Sequence, residues 1–87
     1  MSQPYRTTPV YDADSLPAAL RRDHSTKAGV WGVIRLLEGR LLLTGAEGSR
    51  ELTCDRPGLV RPGEKHRVEP LGPMRMQVEF YAEQPAL

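Results

Sequence analysis

The chain contains two histidines, His24 and His66, and each lies in a setting that suits a metal ligand. His66 follows the Pro62-Gly63 pair, a turn that would deliver its imidazole onto the start of a strand. His24 comes shortly before the strongest strand pattern of the sequence, which begins at Val30. Imidazole nitrogen suits several transition metals, so the pair predicts a divalent metal site, with Zn, Fe or Ni as the expected ion.

Two histidines leave a metal with open positions, so the predicted site needs a further ligand. Glu69 and Glu79 are the candidate carboxylates, and water or a neighbouring chain are the alternatives. Glu69 follows His66 by three residues, so on an ideal strand the two side chains point to opposite faces, unless Pro70 breaks that regularity. Glu79 belongs to the polar face of the last predicted strand, which would face solvent.

Each of these residues also has a purely structural interpretation. His66 after a Pro-Gly turn could simply donate to a backbone carbonyl, and His24 could belong to a capped turn. Trp31 is expected to be core or a dimer contact. Lys27 is either an exposed loop residue or a cation that attracts an anionic ligand near His24.

Short apolar runs separated by turns predict an all-β fold. Eight glycines and eight prolines separate the apolar runs, and the predicted turns recur at intervals of about ten residues, which is typical of a sandwich or small barrel. We predict that Glu38-Gly39-Arg40 is a hairpin turn between the first two predicted strands. The predicted strands are 30–38, 41–44, 51–54, 59–60, 66–68 and 74–81.

The last predicted strand alternates clearly, with Met74, Met76, Val78 and Phe80 on one face. The same alternation predicts that Cys54 is buried beside Leu52 on the preceding strand 51–54.

The N-terminal part is less regular. One or two helical turns are predicted near Ser15 and Pro17, with Ser15 as the cap, although 20–24 could be strand instead. Tyr5 and Tyr11 are expected to be packing residues of an N-terminal strand.

Length and composition bound the kind of protein. The 87 residues make one domain, with a core over about 5–81 and a frayed tail at 82–87. A net charge of +1 with scattered basic residues argues against nucleic-acid binding. No secretory signal or membrane-spanning stretch is found, and the single cysteine fits a reducing compartment. We therefore expect a cytoplasmic protein, and a homodimer because so short a chain covers its apolar surface poorly.

Four segments taken in order resemble one family: 23–32, 37–39, 66–70 and 78–81. They are similar to the cupin-like domain that precedes the methyltransferase in some tellurite-resistance proteins and also occurs alone. The similarity runs from about Tyr5 to Tyr81. It implies a small cupin-like barrel, that is, a double-stranded β-helix or jelly roll. It also favours Glu69, through His66-x-Val68-Glu69, as the third metal ligand.

The sequence departs from the general cupin pattern in two ways. That pattern has two closely spaced histidines followed by a glutamate, whereas here His24 stands alone and Gly32 lies where the carboxylate is expected. A three-histidine site within one chain is therefore impossible. No glycine-rich loop follows a strand, so no methyltransferase domain and no S-adenosylmethionine site are predicted.

Three functions remain in competition. The leading hypothesis is a metal-binding domain in which His24, His66 and Glu69 hold the ion and open positions capture a small anionic or oxidising ligand. A stress or tellurite-resistance role is implied by the resemblance. The alternatives are a metal-dependent enzyme such as an oxygenase, for which no separate base is evident, and a metal-free protein-interaction module.

Overall fold

The computed structural model describes residues 3–86, and within that range the fold is all-β, as predicted. The regular elements other than strands are limited there to one short 3₁₀ helix, Ala18–Arg21. The strands are β1 (Arg6–Thr7), β2 (Tyr11–Asp12), β3 (His24–Ser25), β4 (Trp31–Glu38), β5 (Leu41–Gly45), β6 (Gly48–Leu52), β7 (Gly58–Val60), β8 (Lys65–Pro70) and β9 (Arg75–Tyr81).

Two antiparallel sheets make up the small barrel. The first has the strand order β1-β9-β4-β7, with β2 also paired to β9, and the second has the order β3-β8-β5-β6. From β3 to β9 the chain passes from one sheet to the other at every connection except that between β5 and β6. This alternation between facing sheets is consistent with the predicted cupin or jelly-roll class.

The hairpin predicted at Glu38-Gly39-Arg40 was wrong. The segment is a sharp turn, but β4 pairs with β7 and β9 while β5 pairs with β6 and β8. The turn therefore carries the chain across the barrel, and the Arg40 carbonyl accepts a bond from Leu71 N at 3.2 Å. The hairpin that does form joins β5 to β6, where Gly45 pairs with Gly48.

Alternating side chains from both sheets fill the interior. The pattern predicted for the last strand is confirmed, since Met74, Met76 and Val78 are buried and Phe80 packs against the same cluster. Tyr81 lies on the opposite face of β9 yet is only 5% exposed. The core cluster also contains Leu16, Ile34, Leu36, Leu41, Leu43, Leu52, Val60 and Val68.

The burial predicted for Cys54 was wrong. Cys54 is exposed, because β6 ends at Leu52 and the chain then turns, with Arg56 N bonded to the Thr53 carbonyl at 3.0 Å. Once the strand ends, period-two alternation no longer applies, so Leu52 is buried and Cys54 is not.

The N-terminal segment differs in part from the prediction. The 3₁₀ helix has Pro17 as its N-cap, and that end has no side-chain cap. Ser15 instead accepts a bond from Asp12 N, while the Asp12 carboxylate accepts bonds from the backbone of 14 and 15. Tyr11 packs against the core as expected, but Tyr5 is 60% exposed.

The tail predicted at 82–87 includes Leu87, which lies outside the described residues. In the tail, of which 82–86 are described, Pro85 is buried and its neighbours are exposed. No helix within the described residues has the length and apolar character that a membrane crossing requires.

Candidate functional site

The fold brings the two histidines together. His24 on β3 lies directly opposite His66 on β8, and their ring centroids are 4.0 Å apart with a 58° angle between the ring planes. They are 42 positions apart in the sequence, and the antiparallel register of β3 and β8 is what makes them neighbours. A cross-strand pair of imidazoles is therefore the centre of the candidate site.

Local turns set that register. Pro62 and Gly63 form the centre of a tight turn closed by Glu64 N bonding to the Arg61 carbonyl at 3.1 Å. Gly63 has φ +72°, which matches the third position of a type II turn, with proline before it. The Thr26 hydroxyl donates to the same Arg61 carbonyl at 2.9 Å and accepts from Gly63 N at 3.1 Å. Thr26 thus ties the end of β3 to the turn that begins β8.

A salt bridge holds the other end of β3. Arg67 Nη1 lies 3.0 Å from Asp23 Oδ1, with both side chains more than half exposed. Such a pair contributes roughly 0–1 kcal/mol, so its main effect is to favour one register rather than to stabilise the fold.

Both imidazoles are held in the same tautomer. His24 Nδ1 lies 3.0 Å from the Arg22 carbonyl, and His66 Nδ1 lies 2.9 Å from the Glu64 carbonyl. A carbonyl oxygen only accepts, so Nδ1 carries the proton in each neutral ring and Nε2 keeps its lone pair. A backbone carbonyl on the second nitrogen is the arrangement that orients metal-bound histidines.

Burial keeps His66 neutral. Its side chain is only 5% exposed, and this loss of solvent lowers the pKa of His66 below the usual 6.5, more than the bond to the Glu64 carbonyl raises it. The neighbouring His24 lowers the pKa of His66 further. The imidazole is therefore a lone-pair donor near neutral pH, the form in which a histidine binds metal.

The histidine pair lines a cavity of about 490 Å³ that opens at one end of the barrel. On β4, Gly32 and Ile34 line the cavity, whereas Leu36 does not, and Ile34 also belongs to the core cluster. The volume lies within the range of roughly 300–1,000 Å³ that is typical of small-molecule sites. The buried apolar side chains that line it include Ile34, Val60, Val68, Met76 and Val78.

The two candidate carboxylates lie elsewhere. Glu69 is exposed on β8, between the buried Val68 and the half-buried Pro70, and it pairs in register with Leu42. It is therefore not on the face that carries His66. Glu79 accepts bonds from Arg35 Nε at 3.0 Å and from the Tyr81 hydroxyl at 2.8 Å. No group of three or more His, Cys, Asp or Glu side chains that could hold a metal occurs within residues 3–86.

Sequence reasoning missed the cavity and several of its walls. Gly32, noted only as the place of an absent carboxylate, lines the cavity, and its missing side chain leaves space there. Arg6 reaches the cavity from β1, although nothing in its sequence neighbourhood signals this. Lys27 is an exposed loop residue, as one of its two interpretations expected, and it also lines the cavity.

The fold and the site define a small antiparallel β-barrel with a histidine pair in its cavity. Comparison with known proteins identifies the relatives: the chain belongs to the TehB-like domain family, which matches residues 6–78. The resemblance found in the sequence is thereby confirmed.

Two curated relatives are similar over part of their length. One is the probable S-adenosyl-L-methionine-dependent methyltransferase TehB of Haemophilus influenzae (strain ATCC 51907 / DSM 11121 / KW20 / Rd), 30% identical over 74 residues. The protein with the same description from Haemophilus influenzae (strain 10810) is 28% identical over the same length. In each case the match covers 77% of this chain but only 26% of the relative.

Solved structures share the fold. The crystal structure of TehB from Haemophilus influenzae matches with a TM-score of 0.83 and 30% identity, over 92% of this chain and 31% of that one. A crystal structure of a protein from E. coli (strain K12) also gives a TM-score of 0.83, at 18% identity. It covers 98% of this chain and 93% of that chain, and at that identity it shows a common fold alone.

Acidification is expected to destabilise the metal-free protein through His66. The pKa of His66 is lowered in the folded state, so below pH 6.5 the unfolded chain binds a proton that the folded chain resists. The contribution of His66 to the free energy of unfolding should be constant above pH 6.5. It should fall as the pH drops from 6.5 toward the lowered folded-state pKa. Urea titrations in EDTA across this interval measure the slope.

The matched control is His66→Gln, because glutamine keeps a hydrogen-bonding side chain but does not titrate. The variant should lose the part of the slope that His66 contributes below about pH 6.5. An unchanged slope would show that another group is responsible.

Proposed function

We propose that the chain is a small-ligand-binding domain in which His24 and His66 hold a divalent metal through Nε2, at the wall of the barrel cavity. The observation that supports this most directly is the common tautomer, since both Nδ1 protons are engaged by backbone carbonyls. Each Nε2 is thereby left with its lone pair, and His66 is neutral because its burial lowers the pKa.

The donor set fits an open site rather than a closed structural one. Structural zinc sites use four protein ligands, whereas two imidazoles leave several positions for water or a bound ligand. Zn, Fe and Ni all accept imidazole nitrogen, so the structure is compatible with each of the expected ions. A metal bound there would supply an electrophilic centre for an anionic ligand.

The chemistry of the histidines explains why a metal matters for anion capture at this point. A neutral imidazole with its proton on Nδ1 offers only a lone pair at Nε2, which does not attract an anion. Because burial lowers the pKa of His66, its protonation near pH 7 is not an alternative source of charge.

Capture fits the site better than catalysis. With both histidines assigned to the metal, the residues known to line the cavity, all within the described range, offer no aspartate or glutamate as a separate general base. Glu79, a partly buried glutamate on β9, is bonded to Arg35 and Tyr81.

We place this binding of a small anionic or oxidising ligand in the setting that the family suggests, a cytoplasmic stress or tellurite-resistance-related role. The support is membership of the TehB-like domain family. The chain spans about a quarter of the curated relatives it matches, 26% of their length, so methyl transfer by those proteins is not extended to it.

Metal analysis tests the proposal directly. Untagged wild-type protein should carry near-stoichiometric Zn, Fe or Ni by plasma mass spectrometry, and His24→Ala and His66→Ala should each lose it. Glu69→Gln is the matched control, because Glu69 faces away from the pair and its loss should leave the metal in place. Native mass spectrometry of the same samples reports whether the chain is the predicted homodimer.

The contrary result is equally clear. Wild-type protein without metal, and with no thermal shift on adding Zn, Fe or Ni, would exclude the metal site. Loss of metal in Glu69→Gln would instead restore the three-ligand site predicted from the sequence.

A further inference from the structure

The charged residues that line the cavity are cations. Arg6 on β1 and Lys27, in the loop between β3 and β4, line it together with the histidine pair, and no acidic side chain is known among its walls within residues 3–86. Both cations are exposed, so they lie at the open mouth rather than on the buried floor. The mouth of the cavity is therefore positively charged.

Neither cation is engaged within the described part of the chain. Arg35, Arg61 and Arg67 each form a salt bridge with a nearby carboxylate, whereas Arg6 and Lys27 form none with any residue from 3 to 86. Lys27 is presented by a tight turn, in which Val30 N bonds to the Lys27 carbonyl at 3.1 Å. Gly29, with φ +80°, provides the conformation that this turn needs.

The floor of the cavity has the opposite character. Ile34, Val60, Val68, Met76 and Val78 are buried and apolar and come from both sheets, and the floor also includes the partly exposed Tyr11, Leu20, Val30 and Phe80. Gly32 adds space between them, since its nearest side-chain atoms lie 3.7–3.9 Å from where a Cβ would stand. A ligand that fills this region must have an apolar body.

Size separates this ligand from a simple oxyanion. The cavity of about 490 Å³ is many times larger than one water molecule, whose share of liquid volume is about 30 Å³. An oxyanion with a single central atom would occupy a small part of that space and leave the apolar floor uncovered. An organic molecule with a hydrocarbon part would cover it.

We propose that the cavity binds an amphiphilic organic acid, with its carboxylate at the Arg6–Lys27 mouth and its hydrocarbon chain on the apolar floor between the two sheets. This inference goes beyond the proposed function, because it assigns a second class of ligand to the cavity that the histidine pair lines. It does not depend on a metal, because the carboxylate contacts the two cations and the chain contacts the floor.

Calorimetric titration of octanoate into the full chain, in EDTA, tests the ligand class. Octanoate should bind, its neutral analogue octanamide should bind more weakly, and butyrate, with too short a chain for the floor, should bind more weakly still. The double variant Arg6→Gln/Lys27→Gln should lose about tenfold in octanoate affinity, as expected for the loss of hydrogen bonds to charged groups. Lys65→Gln is the matched control, because Lys65 is an exposed lysine outside the cavity lining.

A volume variant tests the floor separately from the charges. Gly32→Val keeps both cations and places a branched side chain, which strands favour, into the cavity. This variant should weaken the binding of octanoate more than the binding of butyrate. Gly32→Ala serves if the valine variant does not fold, since a Cβ at this position meets only ordinary contacts.

Three results would overturn the proposal: no octanoate binding, equal affinity in the double cation variant, or butyrate binding as tightly as octanoate. Because EDTA is present throughout, the outcome is independent of the metal analysis. Failure of the metal site and failure of the ligand class can therefore be told apart.

Discussion

Replacing Gly39 with alanine is expected to destabilise the protein by several kcal/mol. Gly39 has φ +73°, a conformation that costs a residue with a Cβ roughly 1–2 kcal/mol. A Cβ there would also collide with the Pro73 carbonyl oxygen and lie 3.0 Å from Met74 Cα, both of which are backbone atoms. Relief requires the β4–β5 turn to move away from the start of β9, and overpacking of this kind costs about 1–3 kcal/mol more.

Gly63→Ala provides the matched control for this substitution. Gly63 has φ +72°, nearly the same backbone strain, but a Cβ there meets no atom within 4 Å. The difference between the two variants therefore isolates the collision with Pro73. In a domain of this size each kcal/mol lowers Tm by about 4–8 °C, so calorimetry will resolve it. Equal melting temperatures would mean that the turn adjusts without cost.

Truncation of Leu41 to alanine is expected to lower the free energy of unfolding by about 2–5 kcal/mol. Leu41 is 0% exposed and belongs to the core cluster, on β5 between Leu52 of β6 and Pro70 of β8. A domain of this length has a total stability of only about 4–13 kcal/mol, so the loss is a large part of the whole. Urea denaturation with a fixed slope will measure it.

Leu37→Ala is the corresponding control, on β4, the strand that precedes β5 in the chain. Leu37 lies at the irregularity of β4 and is 47% exposed, so its truncation removes much less buried surface. We expect an effect within about 0.5 kcal/mol, as for most surface substitutions. A Leu37 variant as unstable as the Leu41 variant would show that this surface is covered in solution, for example by a second copy.

Patterns carried by adjacent residues were predictable. The alternation from Met74 to Phe80 located β9 and its inward face, because side chains of a strand point alternately to its two sides. The Pro62-Gly63 turn was predictable for a similar reason, since proline and glycine fit the two central positions of a type II turn. Both depend on bonds and contacts within a few residues.

Features that depend on strand ends and partners were not predictable. The prediction that Cys54 is buried failed because the alternation itself does not show that β6 ends at Leu52. The prediction of a hairpin at Glu38-Gly39-Arg40 failed because a glycine turn reverses the chain without deciding which sheet the next strand joins.

The candidate site shows the same division. Both histidines were selected from the sequence, and the parity argument against Glu69 agrees with its exposed position on β8. The contact between His24 and His66 required the pairing of β3 with β8. The cations at the cavity mouth come from β1 and from the loop after β3, and no local pattern joins them.

By itself, the sequence determined that the protein is a set of short strands joined by tight turns, with two histidines as its main candidate ligands. These properties follow from local backbone preferences and from side-chain alternation. The tertiary structure alone decided which strands share a sheet, that the histidines meet with Nε2 free, and that one end of the barrel stays open beneath a positive mouth. The physical reason is that register and cavity shape arise from packing between distant segments, which no short stretch of sequence contains.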